Sequence, residues 1–233
     1  MTLEEKNQND ILNEFNDPND IEFIFSDKPI NRFKTKPEVE DKISLLAKLK
    51  NDLQNIKNCE LKESAKKLVF SDGNSNSKIM IVGEGPGQKE DEVGKPFVGD
   101  AGLLLNKMLK AININRQDIY ITNVVNYRPP NNRKPEPAEI TRYSEYLRKH
   151  ISIINPKIII LMGSTAMEAV TGLNREISNE RGKWKEIILK NKNFPLIITF
   201  SPSYLIRFPE NKKYSWEDLK KIKQKINHLN IKI

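Results

Sequence analysis

The sequence predicts an α/β fold, a three-layer α/β/α sandwich with helices on both faces of a central four-stranded parallel sheet. Two observations carry this. Four short runs rich in Ile and Val, residues 78–82, 119–125, 157–162 and 195–200, are largely apolar, as strands covered on both faces must be. Between and after them lie amphipathic stretches of helical length, and strand–helix alternation of this kind gives a parallel sheet. Right-handed crossovers then bring the loops at the carboxyl ends of the strands to one edge, where function is expected.

In chain order, residues 1 to about 36 mix Asn, Asp, Glu and Lys with a few apolar residues, and a short helix is predicted over 3–15. Pro29 and Pro37 interrupt any regular element between that helix and residue 39. Residues 39–56 read as a helix because Ile43, Leu46, Leu49, Leu53 and Ile56 recur at three- and four-residue steps on one face. This leader, residues 1–58, reads as an acidic N-terminal extension, and residues 59–233 as the functional domain. Within that domain the predicted helices are 101–111, 137–154, 164–171 and 214–229. No internal repeat or low-complexity tract is present.

Composition narrows the class. The chain has 233 residues, 39 Lys and Arg against 31 Asp and Glu, one cysteine and two histidines. One cysteine excludes a disulfide framework and any site built from several thiolates of this chain. The histidines, His150 and His228, are too far apart in sequence to suggest a His-rich metal centre. No apolar run reaches the ~18 residues that span a membrane, and the acidic start lacks an apolar signal core, so a soluble cytoplasmic protein is expected. The charge is uneven: residues 1–58 hold 9 basic and 12 acidic side chains, which leaves a net +11 on the rest. A basic body behind an acidic leader is the footprint of a polyanion binder, or of a Lys-rich solvated surface.

The strand ends carry the chemistry. The first strand runs into Gly83-Glu84-Gly85-Pro86-Gly87-Gln88-Lys89-Glu90-Asp91. The glycine spacing fits neither a dinucleotide fingerprint nor a P-loop, yet it demands a tight turn where backbone approaches something closely. Gly94-Lys95-Pro96-Phe97-Val98-Gly99 then sets an aromatic between a turn and a helix start, as a core plug or a stacking platform. Asn123 lies in the otherwise apolar second strand, where a carboxamide is costly unless it caps a loop or reads the edge of a base. Ser164 reads as a helix N-cap. After the fourth strand, Ser201-Pro202-Ser203-Tyr204-Leu205-Ile206-Arg207 places apolar residues beside an Arg, as a nucleic-acid wedge or as packing.

Together these stretches resemble the family-4, iron–sulfur type uracil-DNA glycosylases. The matching pieces are Gly83 to Gly87, Glu90-Asp91, Gly94 to Gly99, Ile121-Thr122-Asn123, Arg128-Pro129-Pro130 with Asn132-Arg133, and Pro202 to Leu205 with Arg207. The leader, with Asn58-Cys59-Glu60-Leu61-Lys62, is similar to an alphaproteobacterial branch. The resemblance implies the uracil-DNA glycosylase fold and cleavage of the N-glycosidic bond of a flipped-out uracil in DNA by a monomer. It implies a uracil pocket of Gly85, Pro86, Gly87, Phe97 and Asn123, with Phe97 stacked on the ring and Asn123 reading N3–H and O4. Glu84, Glu90 and Ser201 are the implied catalytic set, Glu90 organising the pocket or its water. Arg128, Arg133, Ser203, Tyr204, Leu205 and Arg207 are the implied DNA contacts.

Two departures from that family shape the expectations. Its members hold a [4Fe-4S] cluster on four cysteines, whereas here only Cys59 remains and the third and fourth positions fall near Tyr127 and Tyr143. Four thiolates are needed, so no metal or cofactor is expected and the tyrosines should pack the space. The family's last motif begins with a histidine that donates to uracil O2, and this chain has Ser201. Losing one such donor typically costs ~10²–10³ in rate. A weak or inactive protein that binds uracil-containing or abasic DNA, or one with a specificity shifted to hypoxanthine or xanthine, therefore stands as the alternative.

Overall fold

Short apolar strands, charged only at the outer end of the longest, build the centre of the molecule. In the computed structural model, which describes residues 41–232, β2 (Ile79–Gly83), β3 (Tyr120–Asn123), β4 (Ile158–Met162) and β6 (Lys192–Thr199) run parallel in the order β3-β2-β4-β6. The chain first lays β3 on one side of β2, then crosses back to lay β4 on the other. That reversal is a topological switch point, and the carboxyl ends of β2 and β4 flank the crevice it opens.

Alternation along the strands divides the core into two layers. Met80, Val82, Ile159, Leu161, Leu196 and Ile198 point to one face, where α1 (Lys42–Gln54), α2 (Glu60–Ser64), α5 (Pro137–Ile154) and α6 (Ser164–Thr171) pack. Ile79, Ile81, Ile121, Ile158, Ile160 and Ile197 point to the other, against α4 (Asp100–Ala111) and α9 (Lys212–His228). This is the expected three-layer sandwich. Helix α5 starts at Pro137, where a missing N–H costs nothing, and Glu139 reaches back to the Glu136 N–H at 2.7 Å. It stops at Asn155 in the left-handed conformation (φ 54°).

The sheet has six strands, two more than predicted. β1 (Asp72–Gly73) adds antiparallel to β3, and β5 (Trp184–Leu189) adds antiparallel to β6. The sequence hides β5 because Lys185 and Glu186 break the apolar run of a half-exposed edge, and because the hairpin turn is Lys190-Asn191. Both residues sit at positive φ (49° and 61°) without a glycine to announce it. β6 accordingly begins at Lys192 rather than at 195. Pro195 is tolerated there because pairing with β4 starts one residue later, at Leu196.

At the amino end, α1 is part of the compact unit Glu40–Ile233: Leu49 and Leu53 are buried in the same core as α5. Its Lys42 ammonium donates to the Ser75 and Ile154 carbonyls, both at 3.1 Å. The helix predicted over 39–56 thus packs onto the body. The helix predicted over 3–15 lies outside the described residues.

Candidate active site

The ends of β2, β3, β4 and β6 open into one cleft with two lobes, of about 370 and 390 Å³. Glu84, Gly85, Phe97, Asn132, Ser203 and Arg207 line both. Asn123 belongs to the first lobe and Ser201 to the second, so a planar ligand lying on Phe97 would have one of them at each end.

The floor is built around a missing side chain. A Cβ on Gly83 would lie 2.5 Å from both Asn123 Oδ1 and the Phe97 ring, so only glycine lets these two groups close on the end of β2. Asn123 is 3% exposed, and its Oδ1 has no hydrogen-bond partner in the protein. A buried unpaired carbonyl costs about 1–3 kcal/mol. Phe97 holds a left-handed backbone (φ 53°), which a bulky residue adopts only under constraint. Arg116 supplies the constraint: its guanidinium donates to the Phe97 carbonyl at 3.0 Å and the Pro96 carbonyl at 2.6 Å, and Asp72 holds it at 2.8 Å. Gly102 completes the fit, since a Cβ there would strike the Phe97 carbonyl at 1.9 Å.

Two carboxylates flank this floor and do different work. Glu84 follows β2 directly; its backbone carbonyl accepts from Val125 N–H, and its Oε2 accepts from the Thr165 hydroxyl at 2.5 Å. Glu90, on α3 (Gln88–Val93), lines the cleft, but backbone occupies both of its oxygens. Oε1 accepts from Val98 and Gly99 N–H, and Oε2 from Gly87 N–H. It ties the Gly85-Pro86-Gly87 turn to the Phe97 loop, which makes it an organiser of the site.

On the rim, Ser201 caps α8 (Pro202–Arg207): its Oγ accepts from Tyr204 N–H at 3.2 Å, which leaves its own hydrogen to donate into the cleft. Ser203 and Arg207 are exposed beside it, and Arg207 has no ion-pair partner among the described residues. Tyr204 sits in a stack between Phe200 and Phe208, with ring centroids 4.8 Å apart on each side. Leu205 requires a correction. It is 1% exposed and packs in the core beneath α8, so it is not available to DNA; its neighbour Ile206, 45% exposed, points outward instead.

Of the other two predicted DNA contacts, Arg133 lines the first lobe with its charge already paired, while Arg128 lines neither lobe. Arg128 Nε donates to Asn132 Oδ1 at 2.7 Å. Arg133 makes a bidentate pair with Glu139 at 2.7 and 2.8 Å, which holds the Glu139 carboxyl below its usual range. The residues that sequence reasoning missed are Asp72, Arg116 and Thr165. All act from remote positions in the chain; Asp72 falls in Asp72-Gly73-Asn74, which is similar to the alphaproteobacterial branch, but no sequence feature gave any of the three a role at the site.

Behind α5 and α2, Cys59 meets the two tyrosines. Its Sγ lies 3.3 Å from the Tyr143 hydroxyl, and Tyr127, buried alongside, donates its hydroxyl to the Leu53 carbonyl at 3.3 Å. Burial first, and the thiol second, push the Tyr143 phenol far up. No cluster of three or more His, Cys, Asp or Glu suited to a metal exists among the described residues. One thiol hydrogen-bonded to a neutral phenol does not fit an iron–sulfur cluster, which needs four thiolates.

Comparison with known proteins agrees with this geometry. The family model of the uracil DNA glycosylase superfamily matches residues 70–223. The type-4 uracil-DNA glycosylase of Thermotoga maritima is 42% identical over 168 residues, 71% of this chain and 86% of that protein. Those of Sulfurisphaera tokodaii and Archaeoglobus fulgidus are 40% and 35% identical, over 77% and 73% of this chain and 84% and 88% of theirs. The chain therefore belongs to the uracil DNA glycosylase superfamily, among its type-4 members.

Proposed function

We propose that this protein removes uracil from DNA by hydrolysing its N-glycosidic bond, leaving an abasic site in an uncut strand. The observation that carries the reading is the unpartnered Asn123 Oδ1, buried at the floor beside the Phe97 ring. Uracil flipped onto Phe97 offers the N3–H that this oxygen lacks and an O4 for the amide to donate to. Cytosine presents the reverse pattern at these atoms, so an Asn held in this orientation discriminates between them.

With the base so placed, its O2 lies toward the second lobe and the Ser201 hydroxyl. As the C1′–N1 bond breaks, the electron pair leaves with N1 and charge spreads to O2, where Ser201 donates a hydrogen bond. The sugar becomes oxocarbenium-like, stabilised by the Glu84 carboxylate and the DNA phosphates. Water then bonds to C1′, and its proton is lost to the leaving base or solvent. Arg207 and Ser203 would meet phosphate on the rim, and the exposed Ile206 beside them would fill the vacated stack. No step passes through a metal, and the Cys59–Tyr143–Tyr127 packing supports a protein without a cluster; we propose further that it acts as a monomer on uracil-containing DNA.

The test is incubation with a uracil-containing oligonucleotide followed by alkali, with hypoxanthine and xanthine oligonucleotides in parallel. Cleavage at uracil alone is expected. An uncut strand at high enzyme excess, with retained binding, would favour the binding-only alternative, which the short hydroxyl of Ser201 keeps open.

A further inference from the structure

We infer that Thr165 is a positioning residue that fixes the Glu84 carboxylate across the switch point of the sheet. The inference rests on the excision reading above. Glu84 follows β2 and Thr165 stands in the first turn of α6 after β4, the two strands between which the crevice opens. The 2.5 Å bond from Thr165 Oγ1 to Glu84 Oε2 joins the two sides of that crevice. Thr165 is wholly buried, so its rotamer is set by packing.

The destination of this hydroxyl is informative. Thr141 and Thr171, the other threonines within the described helices, return theirs to the carbonyl four residues back, Pro137 and Met167, as helical threonines ordinarily do. Thr165 sits too early in α6 to have such a carbonyl, and its hydroxyl points to a carboxylate 81 residues away. The bond is charge-assisted when Glu84 is ionised. It occupies one oxygen of Glu84, which lines both lobes of the cleft, while Val125 N–H holds the Glu84 carbonyl from the β3 side. Glu84 is thus held from both neighbours of β2, its backbone from the β3 side and its carboxylate from the β4 side. Reacting groups need this: a misplacement near 1 Å can cost ~10² in rate. Gly163, at φ 100°, makes the turn that brings α6 to this position and lies against Ser201.

The experiment compares Thr165→Val, Thr165→Ser and wild type in the uracil oligonucleotide assay, with each change repeated in Glu84→Gln under single-turnover conditions. Valine keeps shape and burial but removes the donor; serine keeps the donor. Thr165→Val is expected to lower kcat by roughly 10- to 100-fold with KM within threefold, as losing a hydrogen bond to a charged group implies. Thr165→Ser should stay within about threefold of wild type, and Thr165→Val should add little in the Glu84→Gln background. The inference is overturned if Thr165→Val excises at the wild-type rate, if Thr165→Ser loses as much as Thr165→Val, or if the loss adds in full on Glu84→Gln. If Glu84→Gln leaves no measurable excision, the valine and serine pair decides. Wild type that never excises uracil would instead sink the excision reading. Thermal melting of both variants separates misfolding from misplacement.

Discussion

Arg116 donates a 3.0 Å hydrogen bond to the carbonyl of Phe97, a residue held at φ 53° on the floor of the cleft. The backbone conformation is unfavourable by itself and persists because Arg116, anchored on Asp72, grips two successive carbonyls. Arg116→Met keeps the apolar stem and removes the grip. It is expected to raise KM for uracil DNA roughly tenfold, as a loosened stacking platform should, with a smaller fall in kcat. Steady-state excision kinetics check this, and an unchanged KM would count against the clamp.

Asn123 sets stability against function. Its unsatisfied oxygen is a cost in the free protein and an asset only when a base arrives. Asn123→Leu, similar in size, should raise unfolding stability by about 1 kcal/mol while lowering excision at least about 100-fold, since two hydrogen bonds to the base are lost. Urea unfolding beside the excision assay reads both. A variant that loses stability would show that the oxygen is satisfied in solution.

How far the sequence foretold this site depends on distance along the chain. The central strands were legible because each is a short apolar run, and Asn123 because it is an odd polar residue within one. Thr165 and Arg116 were not, since their partners Glu84 and Phe97 lie on other elements and nothing local marks the pairing. Leu205 and Ile206 show a finer limit. Both are apolar and adjacent, and only the start of α8 at Pro202 decides which turns inward.

His150 makes the fold sensitive to mild acid. It is buried on α5, stacked on Phe70 with centroids 4.7 Å apart and 2.7 Å from the Tyr120 hydroxyl through Nε2. Burial lowers its pKa to about 3, and burial raises that of Tyr120 to about 12. The unfolded chain binds a proton near the ordinary histidine value of about 6.5 and the folded one does not until about 3. This contribution to stability is therefore full above pH 6.5 and is lost as pH falls toward 3, the loss reaching about 2 kcal/mol by pH 5. Tm should drop by roughly 5 °C between pH 7 and 5, and less in His150→Gln, which keeps a partner for Tyr120 without titrating.

The Cys59 thiol is expected to be a packing group. Protein purified without oxygen should carry no stoichiometric iron and no visible iron–sulfur absorbance. Cys59→Ala should leave excision within about twofold and cost about 1–2 kcal/mol, for the lost sulfur and the freed Tyr143 hydroxyl. Stoichiometric iron, or an activity that collapses with this substitution, would overturn that assignment.

Ser201 links catalysis to the cap of a helix. Its Oγ accepts from Tyr204 N–H, so its single hydrogen is the one donor it would offer to base O2 under the proposed excision reaction. A histidine reaches farther and can carry positive charge as O2 becomes negative, a gain of up to ~10²–10³ in rate where the rest of the pocket is intact. It also forfeits the cap, worth about 1 kcal/mol. Space is available on the cleft side, because Ser201 and the side-chain-free Gly163 both line the second lobe. Ser201→His is therefore expected to excise uracil at least about tenfold faster while melting a few degrees lower. Faster excision at lower stability would place the deficit in one missing donor. An unchanged rate would mean that Ser201 already supplies what the leaving base needs, or that O2 lies outside its reach, and pH–rate profiles separate these, since only an engaged imidazole adds a new titration.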